Sequence, residues 1–116
     1  MIFRRGGVYL ARLDPTFGVE MKKTRPVVIV QNDVSNKYGR SVIVAPLTTK
    51  TEVKDHFTEI PVKAPEGGLR NDSVVRLLQM RVLDKQRLVE HWGDLSQETM
   101  QKVDEAIKIS LGLVPL

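Results

Sequence analysis

Arg25-Pro26-Val27-Val28-Ile29-Val30-Gln31 is the stretch whose reading decides the fold. Its β-branched core is too short for an ordinary helix, and branching at Cβ favours extended backbone. Without polar alternation it predicts a strand buried on both faces. Upstream, Gly6-Gly7 opens another strand, Val8 to Leu13, which ends at Asp14-Pro15. Between the two, Thr16 to Lys23 carries Gly18, the pair Lys22-Lys23 and no periodicity, and reads as a loop. Downstream, Asn32-Asp33-Val34-Ser35-Asn36 offers cap and turn residues for one helical turn before Gly39. Ser41 to Leu47 is a further β-branched strand. Pro46 donates no backbone hydrogen bond, which predicts an edge position or a bulge there.

Phe57 to Val62 predicts a shorter strand, and Pro65-Glu66-Gly67-Gly68 a turn. Ser73 to Val82 reads as the longest strand, with Val75, Leu77, Leu78, Met80 and Val82 supplying burial. Asp84 can cap a short helical turn through Leu88, and Val89 to Trp92 adds a brief strand. The one long helix follows Ser96, a good N-cap, with Glu98 in the positive first turn. Met100, Val103, Ile107 and Leu111 fall at helical spacing, and Gly112 is the stop. These elements predict an α+β class or small open barrel: a twisted, mainly antiparallel sheet of five to seven strands covered by one terminal helix. No linker divides the chain, so residues 1–116 are expected to form one domain.

Composition narrows the function classes. The 116 residues are 41% hydrophobic, which argues against intrinsic disorder. No apolar stretch approaches the roughly 18–20 residues of a spanning helix. Met1-Ile2-Phe3-Arg4-Arg5-Gly6 lacks the apolar run of a secretory signal, so a cytoplasmic location is expected. With no cysteine, thiol catalysis and thiolate-bound zinc are excluded. Metal-ligand spacings and glycine-rich nucleotide loops are absent, so neither a metal nor a cofactor is expected. The net charge is +4, but residues 1–50 carry nine Lys/Arg against three Asp/Glu, while the remainder carries nine against eleven. Such asymmetry allows a basic face for a polyanion.

Among single residues, Arg25 stands out because it sits where a basic loop meets a buried strand. A guanidinium held there presents a planar donor fork suited to phosphate, or equally forms an ordinary ion pair. Thr48-Thr49 ends the Ser41 strand in the same fashion, with hydroxyls able to serve a phosphate oxygen or a turn. His56 and His91 have no partner motif and read as surface or structural residues. Tyr9, in a strand, reads as core. Phe17, an aromatic in a basic loop, has little core to join and could stack a nucleobase.

Taken together, these stretches resemble a known family. Gly6-Gly7-Val8-Tyr9-Leu10-Ala11 with Leu13 and Pro15 is similar to the opening of the MazF/PemK toxin endoribonucleases. Gly18-Val19-Glu20 followed by Arg25-Pro26-Val27-Val28-Ile29-Val30-Gln31-Asn32-Asp33 resembles that family's G-x-E and R-P-V-V-I-x-Q-N-D signature. Asp72-Ser73-Val74, then Gln79-Met80-Arg81-Val82-Leu83-Asp84-Lys85-Gln86-Arg87-Leu88, is similar to its D-S and D-K-x-R blocks. The closing helix around Val103-Asp104-Glu105-Ala106-Ile107 matches as well.

The resemblance implies a CcdB/PemK-like fold, a small open SH3-like barrel with a C-terminal helix, usually a two-fold homodimer. It implies metal-independent, sequence-specific cleavage of single-stranded RNA, leaving a 2′,3′-cyclic phosphate and a 5′-hydroxyl. By the same resemblance Arg25 and Thr48 are the catalytic pair. Phe17, Glu20, Lys22, Lys23 and Thr24 would flank the RNA groove, with Gln79 and Arg81 on a strand beside it. Where the family often has Gln-Gly-Gly, this chain has Met21-Lys22-Lys23, a more basic loop. The implied partner is an antitoxin whose acidic flexible tail lies across the groove. The alternative is a toxin of related fold that binds DNA gyrase, as CcdB does; the R-P and D-K-x-R-L blocks argue against it.

Overall fold

The computed structural model describes residues 1–13, 24–50 and 52–115. Among these, the chain forms β1 (Gly7–Arg12), β2 (Thr24–Ile29), α1 (Asp33–Tyr38), β3 (Ser41–Thr48), β4 (Glu59–Val62), β5 (Ser73–Arg76), β6 (Arg81–Asp84), β7 (Leu88–Asp94) and α2 (Gln97–Ser110). All strand pairs are antiparallel. The sheet runs β4-β5-β3-β2-β1-β7, and β6 also pairs with β3.

Alternation along the central strands divides their side chains between two cores. Val8, Val28, Ala45, Leu47, Ile60, Val62 and Val75 join Val103 and Ala106 of α2 on one face. Tyr9, Ala11, Val27, Ile29, Val42, Val44, Leu83 and Leu88 gather on the other. Val27, Val28 and Ile29 are all fully buried, as an unalternated β-branched run requires. At the N-terminus of α2, the Ser96 side chain accepts from the Thr99 backbone N–H. Arg5 ties the helix to the sheet, donating from Nε to the Val30 carbonyl and from its guanidinium to Asp104 at 2.6 Å. Gly68, at φ 75°, lies against the Trp92 backbone, and an added Cβ would come within 2.1 Å of that carbonyl oxygen.

Several expectations need revision. Pro46 does not mark an edge, for β3 is central. Instead the strand changes partners around it: Ser41–Val44 pairs with β6, while Leu47 and Thr48 pair with β5. The long strand expected from Ser73 to Val82 is two strands joined by a 3-10 turn, Leu77–Gln79. Leu77 remains tied to the β4 side through the Thr58 carbonyl, and the chain must then step across to the other half of β3. The brief strand at Val89 to Trp92 extends over seven residues, because β7 covers the free edge of β1. Leu111 is 60% exposed, since it follows the last helical residue at the Gly112 stop.

Candidate active site

Arg25, Val27 and Ile29 alternate onto the face of β2 away from α2, and Val42, Val44, Pro46 and Thr48 onto the same face of β3. Val27 faces Pro46 and Ile29 faces Val44 across the two strands. The same register, carried two residues further, sets Arg25 opposite Thr48. There the apolar rows give way to polar residues and a groove of about 900 Å³ opens. Buried Val27, Val44 and Pro46 supply its apolar lining. Arg25, Thr48, Lys50, Lys54, Arg76, Gln79 and Arg81 supply its polar side.

Five cationic side chains line the groove, against the carboxylates of Glu52 and Glu59. One carboxylate is already engaged: Arg76 donates from Nη1 to Glu59 Oε2 at 2.6 Å. A positive surface therefore remains for a polyanion. Arg25 is exposed and has no hydrogen-bond or ion-pair partner among the described residues. Thr48 is half-buried and its Oγ1 accepts from Arg76 Nε at 2.9 Å. A hydroxyl has one hydrogen to give, so accepting this bond leaves the Thr48 hydrogen available to a ligand.

Glu59 is fixed from several sides. Its Oε1 accepts from the backbone N–H groups of Lys54 at 2.8 Å and Asp55 at 3.1 Å. Burial opposes its ionised form, but these N–H groups and Arg76 outweigh that cost and hold its carboxyl below the usual range. Among the described residues, no three His, Asp or Glu side chains gather closely enough to hold a metal ion.

The structure thus brings Arg25, Thr48, Gln79 and Arg81 to one groove. Gln79 and Arg81 do not share a strand: Gln79 ends the 3-10 turn and Arg81 opens β6 opposite Val44. Thr24 is exposed at the start of β2, opposite Arg12, and is not among the groove-lining residues. Phe17, Glu20, Lys22 and Lys23 lie outside the described residues. His56 is exposed. His91 stacks on Tyr9 with ring centroids 4.7 Å apart, a packing role away from the groove. Sequence reasoning did not single out Glu59, Arg76, Lys50 or Lys54 as part of the site. The available signal was Arg76 itself, a charge inside the apolar run Val74-Val75-Arg76-Leu77-Leu78 that demands a partner.

Residues 4–111 match the family model described as PemK-like, MazF-like toxin of type II toxin-antitoxin system. The chain belongs to this family. It is 42% identical to Endoribonuclease EndoA of Bacillus subtilis (strain 168), over 98% of each chain. Among solved structures, it resembles Mycobacterium tuberculosis toxin MazF-mt6 with a TM-score of 0.78 and 30% identity, covering 94% of this chain and 99% of that one. An endoribonuclease in complex with its cognate antitoxin, from a mycobacterial species, shares the fold at TM-score 0.74 and 24% identity, over 99% and 97% of the two chains.

The sequence blocks that resemble the MazF/PemK family divide into two physical jobs in this member. Gln31 Nε2 donates to Asn36 Oδ1, and Asn36 Nδ2 donates back to the Gln31 carbonyl. Asn32 caps α1, and Asp33 accepts from the Arg5 backbone N–H. Asp72 accepts from the Ala64 N–H, and Asp84 from the Gln86 N–H. These residues build the scaffold. Arg25 and Arg81, from the same blocks, face the groove.

Proposed function

We propose that this protein is the endoribonuclease toxin of a type II toxin–antitoxin module. In this reading it cleaves single-stranded RNA without a metal, in the groove lined by Arg25 and Thr48. The observation that carries it is the pairing, in one cationic groove, of a guanidinium and a hydroxyl hydrogen that are both uncommitted among the described residues. Residues 1–116 form the single toxin domain, acting in the cytoplasm. The gyrase-binding alternative is not favoured, because the matched relatives are endoribonucleases.

The chemistry needs no protein nucleophile. The RNA 2′-oxygen attacks the adjacent phosphorus, the bond to the 5′-oxygen breaks, and a 2′,3′-cyclic phosphate and a 5′-hydroxyl result. One proton leaves the 2′-oxygen and one joins the departing 5′-oxygen. The protein holds the in-line geometry and stabilises charge on the phosphorane oxygens. Arg25 can donate two hydrogen bonds to those oxygens and Thr48 a third. A guanidinium offers donors and no acceptor, so Arg25 is a poor base; its first role is charge stabilisation, its second proton donation to the leaving oxygen.

Lys50, Lys54 and Arg81 meet flanking phosphates, and Gln79 has amide groups for a base edge. Phe17, Glu20, Lys22 and Lys23 would complete the RNA contacts. The acidic tail of an antitoxin would occupy the same positive groove and block Arg25 by charge and bulk. Ile43 and Val82, cross-strand partners that are 37% and 62% exposed, leave apolar surface that a second copy would cover in a homodimer.

The test is to incubate the purified protein with mixed-sequence single-stranded RNA in EDTA and map the new ends. Cuts with cyclic phosphate and 5′-hydroxyl termini are expected. Intact RNA would overturn the nuclease assignment, and cutting that requires Mg²⁺ would overturn the metal-free mechanism.

A further inference from the structure

We infer that Arg76 is a positioning residue for cleavage: it acts through the Thr48 hydroxyl and is itself anchored by Glu59. This rests on the reading of Thr48 given above. The geometry spans three neighbouring strands. Glu59 lies directly opposite Arg76 across β4 and β5, while Thr48 lies opposite Val74 across β3 and β5. Arg76 is therefore the diagonal neighbour of Thr48 on the same face, within reach of a long side chain.

All three guanidinium nitrogens of Arg76 are engaged. Nε donates to Thr48 Oγ1 at 2.9 Å, Nη1 to Glu59 Oε2 at 2.6 Å and Nη2 to the Lys50 carbonyl at 3.0 Å. The side chains of Arg76 and Glu59 are only 13% and 16% exposed. Glu59 in turn is held by two backbone N–H groups. A planar fork fixed at three points cannot swing into the groove as a mobile phosphate clamp. It can set the rotor of one hydroxyl. The Nε–H occupies one lone pair of Thr48 Oγ1, and the positive guanidinium repels the hydroxyl hydrogen, turning it away from Arg76 and toward the groove. Without Arg76 that hydrogen would be free to rotate. A lysine, with a compact ammonium, cannot reproduce three divergent bonds in a plane.

The test is a double-mutant cycle on a short single-stranded RNA that the wild-type protein cuts, measuring kcat, KM and melting temperature. Arg76→Ala should lower kcat about 10- to 100-fold with KM little changed, as misplacement of a catalytic group does. In a Thr48→Ala background the same substitution should have no further effect on kcat, because its route to the chemistry is gone. Arg76→Lys should not rescue. Glu59→Gln, which keeps the shape but weakens the anchor, should lower kcat in the same Thr48-dependent manner, and it serves as the test if Arg76→Ala does not fold. Equal losses in both backgrounds, or wild-type kcat for Arg76→Ala alongside an impaired Thr48→Ala, would overturn this inference alone. Wild-type cleavage by Thr48→Ala would remove the Thr48 assignment and this inference with it.

Discussion

The two faces of the sheet use the same strands for opposite purposes. On the face toward α2, β-branched residues meet Val103 and Ala106, the Ser96 cap is satisfied, and Arg5 is spent on Asp104 and the Val30 carbonyl. On the other face, Val27, Val44 and Pro46 stop at Arg25 and Thr48, and the guanidinium of Arg25 is left without a partner among the described residues. Two arginines make the contrast concrete. Arg5 lies in the turn before β1 and Arg25 at the start of β2; the first closes a joint and the second is left for a ligand. What separates them is whether a later element, here α2, arrives to supply a carboxylate.

Substitutions on the two faces should therefore separate stability from activity. The largest stability effect is expected on the helix side. Leu47→Ala, at a position 1% exposed, should cost about 2–5 kcal/mol in urea unfolding through lost burial and a residual cavity. The surviving folded fraction should cleave RNA normally. The converse holds at Arg25: Arg25→Ala should reduce cleavage about 10²- to 10³-fold with the unfolding midpoint unchanged, if it stabilises transition-state charge. Parallel losses of stability and activity in either variant would erase the distinction between the faces.

Arg81→Ala sharpens the contrast at smaller amplitude. It should raise KM more than it lowers kcat, and reduce the slope of log affinity against log salt by about 0.7, the share of one phosphate contact on a single strand. An unchanged slope would remove Arg81 from the RNA path.

Acid should weaken both faces through different carboxylates. Glu66 tethers the Ser96 N–H at the start of α2; burial opposes its ionisation, but that N–H prevails and lowers its pKa. Glu59 is lowered in the same way beside the groove. Because both folded values lie below the unfolded ones, their stabilisation is complete above roughly pH 4.3 and is lost as pH falls through the folded values. Glu66→Gln and Glu59→Gln should each flatten the acid limb of a stability–pH curve. A limb unchanged in both would place the acid-sensitive groups elsewhere.

Much of this was legible in the sequence where local chemistry sufficed. The unalternated Val27–Val30 run, the Ser96 and Asn32 caps and the Asp84 cap are short-range signals, and each appears as read. Arg25 and Thr48 could be singled out because each ends a buried strand. The Glu59–Arg76–Thr48 chain could not be read, because it depends on the register of β4 on β5 and of β5 on β3. That register follows the break at Leu77, where the expected long strand steps from one half of β3 to the other. The partner change around Pro46 is the same event seen from the opposite strand: a proline limits the ladder, but only tertiary pairing decides how the gap is used.

The most direct measurement uses an RNA oligonucleotide with a single 2′-deoxy sugar at the mapped cut position. If the neighbouring 2′-oxygen is the nucleophile, this substrate should bind in the groove with near-normal affinity and remain uncut at that linkage, while the all-ribose control is cleaved. Cleavage at that linkage at the control rate would contradict attack by the RNA's own hydroxyl and, with it, the roles assigned to Arg25 and Thr48.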